Sequence, residues 1–323
     1  MIRLSTGTAA LLKMANCISK VPPTTAYMMA GQKCENNCRF CSQARDSSSK
    51  ASLLSRVTWP DFPLEETVDA VAAAYKKGNL RRVCIQVVSC RESRGNLSRP
   101  VKMIKDRVPE IPLSISAAFT SLEDIRHFLD LGADVVNLSL DGASRPVFEN
   151  IKQKSWDRAW SFLYNASREF PGHISTHIIA GLGEREKDIA EVLQKCKDLG
   201  IGTGLFAFTP IKGTPLESTP QPPLVSYRRL QAARYLIVNG YARAEQFSFN
   251  TTGFLTGFGM GSRELAEILG NGKAFETSGC RGCNRPYYNE SPRQIPYNYP
   301  RPLIREEIEK AVAAVIEGTR FSG

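Results

Sequence analysis

Histidine is scarce in this chain: His127, His173 and His177 are the only three in 323 residues. Zinc sites that mix cysteine and histidine group their ligands at short spacing, and none of the three lies near the chain's cysteine-rich loop. No apolar run approaches the length of a membrane span. The N-terminus, MIRLSTGTAALLKMANCISK, has a charge and a short apolar run. It has no convincing cleavage site and no disulfide scaffold after it, so it is expected to be a helix packed on the domain of a cytoplasmic protein. No Lys/Arg block or nucleic-acid module accompanies the net charge of +10, which excludes no acidic protein partner and is equally the mark of a soluble basic surface. Repeats and low-complexity tracts are absent. The cluster Gly257-Phe258-Gly259-Met260-Gly261 lacks the dinucleotide fingerprint spacing and opens no βαβ unit.

What is present is cysteine, nine in all, together with 42% apolar residues, enough for a full core. Without a secretion signal, so many thiols point to metal binding or reactivity rather than disulfides. Three of them form CxxxCxxC in Cys34-Glu35-Asn36-Asn37-Cys38-Arg39-Phe40-Cys41, a polar loop after the apolar Ala26-Tyr27-Met28-Met29-Ala30. Such a loop can wrap three corners of a cubane iron–sulfur cluster and leave the fourth iron open, unlike a four-cysteine electron-transfer cluster. An open iron binds substrate or cofactor directly, which points to chemistry. A zinc knuckle and three unrelated thiols are the competing readings.

Periodicity predicts strands at 24–30, 81–88, 111–117, 134–140, 173–180, 203–208 and near 244–250. Helices are predicted at 64–77, 98–107, 121–131, 155–169, 185–198 and 226–239. This alternation implies parallel strands with crossover helices, hence an α/β fold: a TIM-like barrel, with an open doubly wound sheet as the alternative. Barrel function gathers at the C-terminal strand ends, and the cysteine loop follows the first strand. Residues 1–270 are expected to form the barrel with its N-terminal helix. Residues 271–323 are expected to be an irregular Pro/Tyr/Arg/Asn-rich extension across the barrel, ending in a helix at 303–317.

The motif CxxxCxΦC, with Phe40 before the last cysteine, resembles the signature of the radical S-adenosylmethionine (radical SAM) superfamily. The resemblance implies a [4Fe-4S] cluster on Cys34, Cys38 and Cys41 whose open iron chelates SAM. Electron transfer from that cluster would then break a carbon–sulfur bond and yield a 5′-deoxyadenosyl radical. Residues 25–250 resemble biotin synthase and its relatives. Leu140-Asp141 is similar to the Asn-Leu-Asp strand end whose aspartate holds the SAM ribose, with Ser139 in place of Asn. Ile178-Ile179-Ala180-Gly181-Leu182-Gly183-Glu184 is similar to the stretch that packs on adenine, with His177 in place of its first glycine. Lys212-Gly213-Thr214-Pro215-Leu216 matches KGTPL. By this resemblance Phe40, Asp141, Ile179, Gly181 and Glu184 position SAM; a plain core phenylalanine is the other reading of Phe40.

Biotin synthase holds a second, sulfur-donating cluster with three cysteines and an arginine. The first of those cysteines aligns with Cys84, but the other two align with Ser114 and Ser175. A different auxiliary [4Fe-4S] site is expected from Cys280-Arg281-Gly282-Cys283 with Cys90 and Cys84. A redox CxxC is the competitor, and Cys84 also reads as a buried, inert thiol. A late CxxC with a Tyr/Asn/Pro-rich tail most resembles one component of a two-protein lipoyl synthase, and Arg320-Phe321-Ser322 faintly resembles the Arg-Ser-Ser ending of ordinary lipoyl synthases. That implies sulfur insertion into an octanoyl chain on a lipoyl-carrier protein, with a second radical SAM subunit and a ferredoxin or flavodoxin as electron donor. Biotin synthesis, a radical SAM reaction without sulfur insertion, and a non-catalytic iron–sulfur protein are the alternatives.

Overall fold

The computed structural model describes residues 1–17, 20–88, 93–291 and 293–319. Six parallel strands, Thr25–Ala30, Arg82–Val87, Leu113–Ser116, Val135–Asn137, Ile174–Ala180 and Gly202–Ala207, lie side by side in chain order. Each is joined to the next through helix: Leu64–Lys76, Ser93–Arg107, Leu122–Asp130, the pair Arg145–Lys152 and Trp156–Glu169, then Glu186–Asp198. Two antiparallel strands, Ile2–Leu4 and Asp61–Phe62, extend the sheet beyond Thr25–Ala30. The outermost strands of this eight-stranded sheet do not pair with each other, so the barrel is open on one side.

The N-terminus differs from the expected helix. Ile2–Leu4 is a fully buried strand, and a helix follows only at Thr6–Leu11, where the Ser5 side chain accepts from the Thr8 N–H. Edge pairing buries Ile2 and Leu4 at once, which one turn of helix could not do. The expected strand near 244–250 is Ser248–Phe249, in a separate hairpin with Leu255–Gly257 rather than in the barrel. The helix Arg145–Lys152, with Pro146 at its first turn, was absent from the periodicity because only eight residues carry it.

The extension runs along the open side. The Ser278 hydroxyl accepts from the Leu205 N–H at 2.9 Å, and Asn289 Nδ2 donates to the Ala207 carbonyl at 2.6 Å. On the other flank Asn284 accepts from the Thr24 N–H at 2.8 Å, and Ser55 donates to the Tyr288 carbonyl at 2.7 Å. Gly204 matters here: a Cβ would lie 3.1 Å from the His177 ring and 3.2 Å from that of Phe206. Phe275, Tyr299, Ala311 and Val315 belong to the same apolar core as the strands, so the extension is part of the barrel's packing. Among the described residues no helix is long and apolar enough to cross a membrane.

Phe275 is wholly buried in that shared core. Phe275→Ala is expected to cost about 3–5 kcal/mol and to shift one cooperative denaturant transition of the whole chain. A barrel transition left in place would separate the two parts.

Candidate active site

The cysteine loop is fastened from three directions. Arg3, on the N-terminal strand, donates to the carbonyls of Gly31, Gln32 and Ala51 at 2.5, 3.1 and 2.8 Å. The Cys34 N–H donates to the Gln43 carbonyl and the Arg39 N–H to that of Ile151, which ties the loop to the helix Arg145–Lys152. Beyond the loop, the Ser48 N–H and the Ser47 hydroxyl both donate to the Gly213 carbonyl at 3.0 Å. Gly213, in the KGTP turn, has φ +83°, and a Cβ there would meet the Ser49 nitrogen at 2.7 Å. This glycine lets the turn after the last parallel strand brace the loop after the first.

Cys34, Cys38, Phe40 and Cys41 line a pocket of ≈ 260 Å³ at the C-terminal strand ends, facing Asp141, Lys152 and Ile179. Burial pushes the Cys38 thiol up and the Cys41 thiol to about 12. Asp141 sits at a strand end with φ +66°, a strained conformation for a residue with a side chain. It is held by backbone bonds on both sides, to the His177 carbonyl and from the Ile179 N–H. Its carboxylate pairs with Lys152, the side chains being only 10% and 12% exposed. Asp141 raises the Lys152 pKa despite the opposing, larger effect of burial. Phe40 faces the pocket and also packs on Leu182 and Phe208.

Gly181 and Glu184 do not line this pocket; they line a separate depression. The Glu184 carboxylate accepts from the Gly181 N–H at 2.8 Å and shapes the turn after Ile179. Its other oxygen is buried without a partner, and burial pushes its pKa up to about 7.

A second, smaller cavity lies inside the barrel. Cys84, Cys280 and Cys283 line it with Ser114, and Tyr27, Cys84 and Ser114 share one register row of the sheet. Tyr27 shares a 3.2 Å hydrogen bond with Cys283 Sγ, and Gln86 donates to Cys84 Sγ at 3.0 Å. Three buried polar atoms on the same walls, Thr25 Oγ1, Arg82 Nε and Tyr288 OH, have no hydrogen-bond partner among the described residues. All three are donors. Burial pushes Cys280 up to about 12 and raises Cys84, the opposite of the lowered pKa a redox CxxC needs. Cys90 and Arg320-Phe321-Ser322 lie outside the described residues. Ser175 is away from the cavity, accepting from Asn137. Lys152, Arg3 and Arg285, the last of which lines both cavities, were not singled out from sequence; no motif flags them, because each lies outside the cysteine loop's own segment.

The radical SAM superfamily model matches residues 28–196, more than half of the 323-residue chain. The chain belongs to the radical SAM superfamily. It is 24% identical over 210 residues to the biotin synthase of Desulforudis audaxviator, covering 64% of this chain and 62% of that one. It is 22% identical over 187 residues to the lipoyl synthase of Halobacterium salinarum, covering 56% of each. The chain thus spans less than two thirds of these relatives' lengths. Among solved structures it resembles methylornithine synthase (PylB), with TM-score 0.51, 16% identity and coverage of 65% of this chain and 62% of that one. The FeFe-hydrogenase maturase HydG from Carboxydothermus hydrogenoformans gives TM-score 0.52 and 17% identity over 67% of this chain and 52% of that one. These two likenesses concern the fold, a partial barrel.

A radical SAM enzyme uses a [4Fe-4S] cluster and SAM. The site fits them: one loop turns three thiols toward an open pocket, and a carboxylate suited to ribose hydroxyls faces them. Among the described residues no three Cys, His, Asp or Glu side chains converge tightly enough for a single metal ion. Binding to iron would deprotonate the thiols, Cys38 and Cys41 despite their raised pKa values.

Cys34→Ala, Cys38→Ala and Cys41→Ala are each expected to abolish deoxyadenosine formation from SAM, measured by chromatography on reconstituted protein. The raised Glu184 pKa carries a stability consequence. A carboxyl raised from 4.5 to about 7 stabilises the fold fully below pH 4.5, and that contribution is lost as pH rises through about 7. Thermal melting of Glu184→Gln should therefore fall less than wild type between these values.

Proposed function

We propose that this radical SAM enzyme inserts sulfur at an unactivated C–H carbon, on an octanoyl chain carried by a lipoyl-carrier protein. The observation that carries this reading is the meeting of Cys84 with the late pair Cys280 and Cys283 inside the barrel, beneath the cysteine-loop pocket. Their cavity is small and ringed by unpartnered donors, which suits a buried sulfur-rich anion such as an auxiliary cluster. The CxxC sits on an extension that side-chain hydrogen bonds also tie to the strands.

In this reading Cys34, Cys38 and Cys41 hold the SAM-binding cluster and Cys84, Cys280 and Cys283 hold the sulfur donor. When bound, the first cluster and SAM supply hydrogen-atom abstraction from the substrate. Asp141, held by Lys152, presents its carboxylate to the ribose, and Phe40 and Ile179 give apolar faces to adenine. Tyr27 and Gln86 fix two of the donor thiols by hydrogen bonds. The barrel walls keep water from the reacting carbon. The relatives named lipoyl synthase and biotin synthase support the branch of chemistry. The +10 surface suits an acidic carrier domain, and a ferredoxin or flavodoxin would supply electrons. A second radical SAM subunit would add the other sulfur.

The test is mass spectrometry of an anaerobic reaction containing reconstituted protein, SAM, reductant and an octanoyl-lysyl carrier peptide. Gain of one sulfur by the peptide, lost in Cys280→Ala with deoxyadenosine still formed, is the expected result. Deoxyadenosine with no thiolated peptide, even with a partner subunit added, would overturn sulfur insertion and leave a radical SAM enzyme of other substrate.

A further inference from the structure

The two cavities meet in a throat. Gln86, His177, Phe206 and Arg285 line both. Arg285 is held there with care. Its guanidinium lies over the rings of Phe206 and Tyr288, at 4.2 and 4.5 Å from their centroids. Its N–H donates to the Tyr27 hydroxyl at 2.7 Å, and its φ of +34° is strained for a residue with a side chain. Among the described residues its guanidinium makes no hydrogen bond or ion pair.

Among the described residues no carboxylate lines the inner cavity. Asp141, the one carboxylate that the described residues bring to the outer pocket, is taken by Lys152. His177 offers no negative charge either; burial first, then the charge of Arg285, push its pKa down to about 3, so it stays neutral. A partly buried cation without an acceptor is costly. Two ring contacts hold the guanidinium in the throat, and its five N–H donors find no acceptor among the described residues. An oxygen of a bound molecule would complete them.

We propose that Arg285 receives the acyl oxygen of the substrate in the throat between the SAM pocket and the three inner thiols. The oxygen belongs to the carboxylate of a free acid or to the carbonyl of an amide; both offer acceptors to the fork, the carboxylate more strongly. Arg285 is thereby a specificity-determining residue. It sets the distance between the anchored acyl oxygen and the carbons that reach the reacting groups. The proposal rests on the acyl-chain reading above, and its test is arranged to fail separately.

The probes are octanoate and Nε-octanoyl-lysine, titrated calorimetrically into anaerobically reconstituted full-length protein. Arg285→Gln should weaken binding of at least one probe by about tenfold or more, and Arg285→Lys should fall between. Greater loss for octanoate identifies a carboxylate anchor; equal loss identifies the carbonyl. Circular dichroism and iron content check that the variants are folded and loaded. Wild-type protein that binds neither probe, or Arg285→Gln that binds both as wild type does, overturns the proposal. A shift in the inner cluster's reduction potential with unchanged probe binding also overturns it, and assigns Arg285 as a counter-ion to the thiolates. If the peptide is never thiolated but Arg285→Gln still loses octanoate, sulfur insertion falls and the anchor stands.

Discussion

Parallel strands that stop short of a closed barrel leave a row of backbone groups to satisfy. Here the strand Gly202–Ala207 carries that row. The extension answers it with side chains: Ser278, Asn289 and Asn298 bond to the backbone of Leu205 and Ala207. Tyr227 and Arg234 satisfy the Leu205 and Thr203 carbonyls from the helix side. Side-chain pairing needs no strand register, so the chain here is free to turn sharply. Those turns bring Cys280 and Cys283 to the wall opposite Cys84.

The same constraint explains the amino acids of the inner surface. Positions that face the barrel interior near the thiols are small or polar, as at Ser114 and Gly204, where a larger family of apolar residues would fill a closed barrel. The space they leave is occupied by Tyr27, Tyr288 and Arg285, three side chains with polar ends. A hydrophobic plug would have served stability better.

The parallel strands and most crossover helices were legible because each spans enough residues for its period to show. The cysteine loop was legible because its ligands are close in sequence and its aromatic Phe40 marks it. Ile2–Leu4 was misread as helix because three residues carry no period, and only pairing with Thr25–Ala30 makes them a strand. Arg145–Lys152 was hidden for a similar reason, and with it Lys152. The short match at Gly181 and Glu184 belongs to a turn whose carboxylate bonds its own backbone, and sequence similarity alone does not separate shaping a turn from lining a pocket. Arg285 had no signal at all: its isolation from acceptors among the described residues is a property of three dimensions. Cys84 and the pair at 280–283 were legible as thiols, but their meeting depended on where the extension runs.

Gly213 braces the cysteine loop from a turn far along the chain. During synthesis the loop at 34–41 emerges early, yet its brace emerges only after five of the six parallel strands have followed it. The inner thiols wait longer still, since Cys84 meets its companions only once residue 283 is out. Completion of the cysteine loop's brace and of the inner thiol cluster is thus deferred until the later parts of the barrel have been made, which keeps partially made chains from presenting a finished thiol cage to stray metal.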